Sequence, residues 1–255
     1  MPGAGWRARL LFPMVLWTYV FLGIQILVGQ AANAPIPASA LLRWPVPPYL
    51  HLWFLWALIV LQLVGIAVRP LAARYPRPAF AILSVLSFWL LFVNFPTDLI
   101  YIWFPGLLWV APFFFLGGLW ALYGPIPAAR RYLLPALIAF AAVDTVAIFS
   151  GDPGIAPAFG VALVAVISVL VVARQEQLWS GWVGAGLAFL GQCSMTIYLM
   201  HTIFSAMIRI VLQKELGLLH WPPVLAAVVI GGLGLPLLFH IPAVPPRLRR
   251  ALGVS

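Results

Sequence analysis

Eight apolar runs of seventeen to twenty residues follow one another along the chain, separated by breaks rich in proline, glycine and charge. They cover 10–29, 50–68, 79–96, 103–122, 132–149, 157–173, 193–212 and 221–240. The hydrocarbon core of a bilayer takes a helix of about 20 apolar residues to cross. A soluble domain carries roughly a quarter of its residues as charges; here the charged share is 7% and the hydrophobic share 64%. So few charges cannot clothe a water-soluble surface. The breaks, such as Pro35-Ile36-Pro37, Arg74-Tyr75-Pro76-Arg77-Pro78, Gly124-Pro125-Ile126-Pro127 and Gly151-Asp152-Pro153-Gly154, hold strong helix-interrupting residues. The pattern predicts an all-α, polytopic transmembrane helix bundle of about eight spans. It forms a single membrane domain over 1–255 and leaves no room for a sizeable soluble one. The stretch 178–192, with Trp179, Trp182 and several glycines, reads as an interfacial helix before the seventh span.

Charge then assigns sides. With the N-terminus inside, the inner segments hold Arg7, Arg9, Arg69, Arg74, Arg77, Arg130, Arg131, Arg174, Arg247, Arg249 and Arg250, eleven of the fourteen Lys and Arg. The outer side keeps Arg43, Arg209 and Lys214. Cytoplasmic segments carry the excess of basic residues, so both termini are expected in the cytoplasm and the chain in the cell (inner or plasma) membrane. The net charge of +9 is spread through short gaps between apolar runs, which excludes the clustered basic face of a nucleic-acid binder. Arg7 and Arg9, an apolar stretch and Ala32-Asn33-Ala34 also fit a signal peptide; Trp17, Tyr19 and the following Pro35 argue against cleavage. There is no clear internal repeat, P-loop or zinc-site spacing, and the one cysteine, Cys193, cannot form an intrachain disulfide.

Ionisable groups at membrane depth are costly, so each is a functional candidate. His51 opens the second span at the outer face, as a general base or as an interfacial histidine beside tryptophans. Ser194, Tyr198 and His201, spaced four and three apart, share one face of the seventh span, either as a site or as interhelical hydrogen-bonding groups. Asn94 and Asp98 fall near the outer end of the third span. Asp144 lies in the outer half of the fifth and needs a partner, with His51 and Arg43 as candidates. Asp152 and Glu215 read as loop charges, and His220 and His240 as interface markers. Among the inner arginines, Arg247, Arg249 and Arg250 read as orienting charge, while Arg7 and Arg9 are candidates to hold a donor's phosphates.

Three segments resemble the acyltransferase-3 family of polytopic enzymes. Arg7-Ala8-Arg9-Leu10-Leu11-Phe12-Pro13 is similar to its basic segment before a span. His51-Leu52-Trp53-Phe54-Leu55 is similar to its H-x-W-F-L signature, and to the branch that modifies periplasmic glucans. Leu190-Gly191 through Ser194, Ile197-Tyr198-Leu199 and His201 are similar to its late G-x-x-S-x-x-I-Y-L-x-H helix. The resemblance implies transfer of an acyl group, acetyl or succinyl, from a cytosolic acyl-CoA co-substrate to a hydroxyl of an extracytoplasmic glycan or lipid-linked sugar. No bound cofactor or metal is implied. On that reading His51, Tyr198 and His201 form the catalytic cavity, Arg7 and Arg9 meet the donor, and Trp53, Asn94, Asp98 and Asp144 line the acceptor side. The family begins with two further helices, the first bearing the histidine regarded as catalytic; neither is visible here. The chain therefore reads as the last eight spans of a ten-span protein: a fragment, a mis-started reading frame or a degenerate, inactive relative, with a partner that supplies the missing helices as one further reading. The family's catalytic histidine is assigned to no residue of this chain. The competing functions are a polar-solute transporter, which the lack of repeats disfavours, and a non-catalytic membrane subunit.

The sidedness is directly testable. An alkaline phosphatase fused within 69–78 is expected to be inactive and a fluorescent protein there bright; the reverse pair of readings overturns the orientation.

Overall fold

In the structure, a computed structural model, residues 10–29, 37–42, 50–93, 103–124, 130–149, 155–218, 220–240, 244–245, 247 and 252 are described. All regular secondary structure among them is helical: α1 (Phe12–Val28), α2 (Trp53–Ala67), α3 (Arg69–Arg74), α4 (Pro76–Leu90), α5 (Trp103–Tyr123), α6 (Leu133–Phe149), α7 (Ile155–Ala173), α8 (Gly181–Gln192), α9 (Ser194–Ile210) and α10 (Trp221–Leu237), with short 3-10 or π turns between or beside them. Each of the eight apolar runs coincides with a helix. Among the described residues, five helical stretches are long and apolar enough to cross a membrane, while α1, α2 and α4 are apolar but shorter. At 1.5 Å per residue, α2 and α4 reach about 22 Å.

The boundaries differ from the sequence reading where proline is involved. Arg69-Pro70 and Arg74 to Pro78 read as breaks, yet Pro70 and Pro76 occupy the first turns of α3 and α4. Proline lacks an N–H that a first turn leaves unbonded anyway, and its fixed φ suits that position. The third span therefore starts three residues earlier than expected and gives way to a turn at Leu91. α1 starts in the same manner with Pro13 and stops at Gly29, whose φ of 54° is a conformation that favours glycine. α8 covers most of the stretch read as an interfacial helix. It is twelve residues long, buries none of them, and holds Trp182 at 86% exposure.

Contacts divide the chain into two units, Met1–Ile59 with Leu187–Ser255, and Val60–Gly186. In the first, α9 packs along α10, and α1 and the start of α2 complete a core of Leu10, Met14, Trp17, Phe21, Leu52, Leu55, Ile59, Leu199 and Met200. Small residues let the backbones approach. A Cβ on Gly232 of α10 would collide with Ser205 Oγ of α9, the hydroxyl that donates to the Val228 carbonyl at 3.3 Å. In the second unit, α4 pairs with α5 and α6 with α7. There Gly118 leaves room for the Phe80 ring.

Outward faces are greasy: Val85 is 69% exposed, Ile148 74% and Phe149 82%. In water such continuous apolar faces would aggregate; lipid covers them. Hydroxyls within the spans bond back to their own helix, as Thr18 does to Met14 O at 2.7 Å, Ser84 to Phe80 O at 2.7 Å and Thr145 to Ala141 O at 2.7 Å. Lipid offers no other partner.

Gly232→Val is expected to cost about 1–3 kcal/mol by overpacking the α9–α10 contact. Gly186→Ala, where an added Cβ meets nothing within 4 Å, should be neutral or slightly stabilising. Unfolding in detergent followed by circular dichroism distinguishes the two.

Candidate active site

The site is built within the first unit, where α9 faces the 3-10 turn Leu50–Leu52 that leads into α2. Leu52 and Leu55 are buried against Met14, Trp17 and Phe21 of α1 and against Leu199 and Met200 of α9. Burying them sets the ring of His51, just before Leu52, against α9. It lies edge-on to Phe21 with centroids 5.0 Å apart, 5.3 Å from the Tyr198 ring and 5.2 Å from that of His201.

Phe21 is the tenth of seventeen residues in α1 and His201 the eighth of seventeen in α9. His51 therefore lies beside the middle of two helices. The run 50–68 is not α-helical throughout: a 3-10 turn over Leu50–Leu52 leads into α2, which begins at Trp53.

Three interactions define the chemistry. The Tyr198 hydroxyl donates to the His51 backbone carbonyl, tying α9 to the 3-10 turn. That bond occupies the phenolic proton, so Tyr198 is a positioning residue for His51. His201 Nδ1 lies 3.0 Å from Ile197 O and 2.9 Å from Tyr198 O. Carbonyl oxygens only accept, so Nδ1 must carry the proton, and in neutral imidazole the lone pair is then on Nε2. His51 is the reverse case: both ring nitrogens are buried, and neither makes a hydrogen bond of standard geometry. Unpaired buried polar atoms cost free energy and are few in native proteins. One imidazole of fixed tautomer beside one with uncommitted nitrogens can take up and hand on a proton.

The other expected residues are distributed differently. Trp53 is half-buried at the start of α2, and its ring meets Phe54, which in turn meets Tyr198 at 5.9 Å. Ser194, expected on the same face as Tyr198 and His201, is exposed at the start of α9. Asp144 is half-buried on α6 in the second unit. Arg7, Arg9, Arg43, Asn94 and Asp98 lie outside the described residues. Among the described residues no cluster of three His, Cys, Asp or Glu could hold a metal.

Sequence reasoning missed Phe21, whose only signal was the Met14, Trp17, Phe21 spacing of one helix face. It also missed the role of His240. The His240 Nε2 lies 2.6 Å from Thr196 Oγ1, and the ring lies edge-on to Phe189. Nothing in the linear sequence pairs residues 44 apart.

One comparison with known proteins identifies the family. The acyltransferase-3 family model, described as an acyltransferase domain, matches residues 8–241. No curated protein and no solved structure matches the chain. The match takes in the His51 segment, the α9 segment and nearly the whole helical bundle. The chain therefore belongs to the acyltransferase-3 family of multi-pass membrane acyltransferases.

Proposed function

We propose that this acyltransferase moves an acyl group, acetyl or succinyl, from cytosolic acyl-CoA to a hydroxyl of an extracytoplasmic glycan or lipid-linked sugar. It would do so across the cell (inner or plasma) membrane, with both termini cytoplasmic. The observation that supports this reading is the His51–His201 pair, whose rings lie 5.2 Å apart beside the middle of α1 and α9. A thioester donor bears phosphates and stays in the cytosol, while a glycan acceptor is large and polar. A site beside the middle of those helices would allow each to present only its reacting end.

In the proposed step, His201 Nε2 takes the proton of the acceptor hydroxyl as its oxygen attacks the acyl carbon. A His51 N–H, free of protein partners, donates to the carbonyl oxygen as negative charge develops there. The carbon–sulfur bond then breaks. The thiolate of coenzyme A recovers a proton from the imidazolium, so the histidines return to their starting state. Arg7 and Arg9, just before α1, would hold the donor phosphates, for which the guanidinium fork is suited. Asn94, Asp98 and Asp144 are proposed for the acceptor side.

Acyl transfer to glycans, measured in membranes carrying each variant, tests this. His201→Ala and His51→Ala are each expected to lower the rate by about 100-fold or more, the range of a lost acid–base group. Unchanged transfer in either variant rejects the role given to that histidine.

Tyr198→Phe retains the ring and loses the bond to the His51 carbonyl. Its kcat should fall about three- to tenfold, the worth of one hydrogen bond, with KM for both substrates unchanged. A raised KM with unchanged kcat would instead place Tyr198 in substrate binding.

A further inference from the structure

The second unit ends on one side in a rim that orienting charge does not explain. The Arg77 guanidinium, at the start of α4, stacks over the Tyr123 ring at the end of α5, 5.1 Å from its centroid. Arg74 lies 5.3 Å over Tyr75. Arg131 lies 4.8 Å over Tyr132 and donates to its hydroxyl at 2.8 Å. Tyr123 and Arg130 are joined by six residues, so the start of α4, the end of α5 and the start of α6 share one end of the unit. The arginine bias assigns that end to the cytosol. All six side chains are exposed. Among the described residues, none of these arginines has a carboxylate partner. Pro70, Pro76 and Pro78 brace the connection that carries Arg74 and Arg77.

Two features go beyond what orientation requires. Orientation needs positive charge of either kind, but every inner basic residue is arginine, and the chain's one lysine, Lys214, is on the other side. Only a planar guanidinium stacks on a ring while keeping its N–H edge directed outward, in a fork that matches phosphate oxygens. The rim also sits directly on apolar helix faces, where Ile82 and Val85 of α4 and Leu134 and Ile138 of α6 are exposed. A ligand fitting both parts carries an anionic phosphate above and hydrocarbon below. A free nucleotide phosphate would use the first part alone.

We propose that the arginine–tyrosine pairs at Arg74, Arg77 and Arg131 form a binding surface for the headgroups of anionic phospholipids, whose acyl chains lie on the exposed faces of α4 and α6. Cytosolic-leaflet phospholipid is thereby held at defined positions beyond the general attraction of basic residues to that leaflet.

The test uses the full chain, purified in neutral detergent and titrated separately with phosphatidylglycerol, phosphatidylcholine and coenzyme A. Thermal unfolding and native mass spectrometry are the readouts. Phosphatidylglycerol is expected to raise the unfolding midpoint and stay bound, while the other two do neither. The double variant Arg77→Lys, Arg131→Lys retains the charge, yet should bind phosphatidylglycerol about fivefold more weakly, because stacking and the planar fork are lost. Tyr123→Leu, which leaves every charge in place, should weaken binding in the same direction. Equal binding of the two lipids overturns the proposal, as does full affinity in the lysine variant. Displacement of phosphatidylglycerol by coenzyme A would make the rim a donor-phosphate site and overturn it too.

Discussion

Hydrocarbon offers no hydrogen bonds, and several hydroxyls described within the helices are placed to manage without them. Thr18, Ser84 and Thr145 turn back onto their own helices. Ser205 reaches a carbonyl of α10. Tyr198 reaches the turn ahead of α2. Against that background of closure, the open nitrogens of His51 stand out, and so does the lone pair that the bonding of His201 Nδ1 leaves on Nε2. Thr202 Oγ1, next to His201 in the chain, is also buried without a partner, so among the described residues unsatisfied groups gather near the histidine pair, where a reacting group could come and go.

The two units are built by the same means. In each, a helix pair closes over glycine, with Gly232 against Ser205 in one and Gly118 against Phe80 in the other. Without a hydrophobic force between helices in lipid, such close backbone approach and its dispersion contacts supply the association energy. What differs is the polar content. The first unit encloses the histidine pair, while the second displays its arginines and tyrosines at a rim.

Much of this was legible in the sequence. Helix positions followed from eight apolar runs, because the length of a membrane span is fixed by the bilayer and not by subtle propensities. The association of Tyr198 with His201 followed from helical periodicity. The neighbours of His51 did not. An apolar run does not show which helices its first residues meet, and only the packing of Leu52 and Leu55 on α1 and α9 fixes them. The prolines before α4 were ambiguous in the same sense, since one residue type both ends a helix and begins one. The pairing of Thr196 with His240, and the stacking of Arg77 on Tyr123, join helices that the linear order cannot align.

The position of His51 beside the middle of α1 and α9 has a mechanical consequence for the proposed reaction. Where those helices cross a hydrocarbon layer about 30 Å thick, the histidines would sit near its centre and each substrate would reach only about 15 Å inward. The slender thioester arm of the donor can extend that distance while its nucleotide stays in water. No bulky or charged body then has to flip across the barrier, and the cargo that crosses is a few atoms of acyl group. Such an arrangement would need no pump-like rocking of the helices and no energy input beyond that of the thioester bond itself.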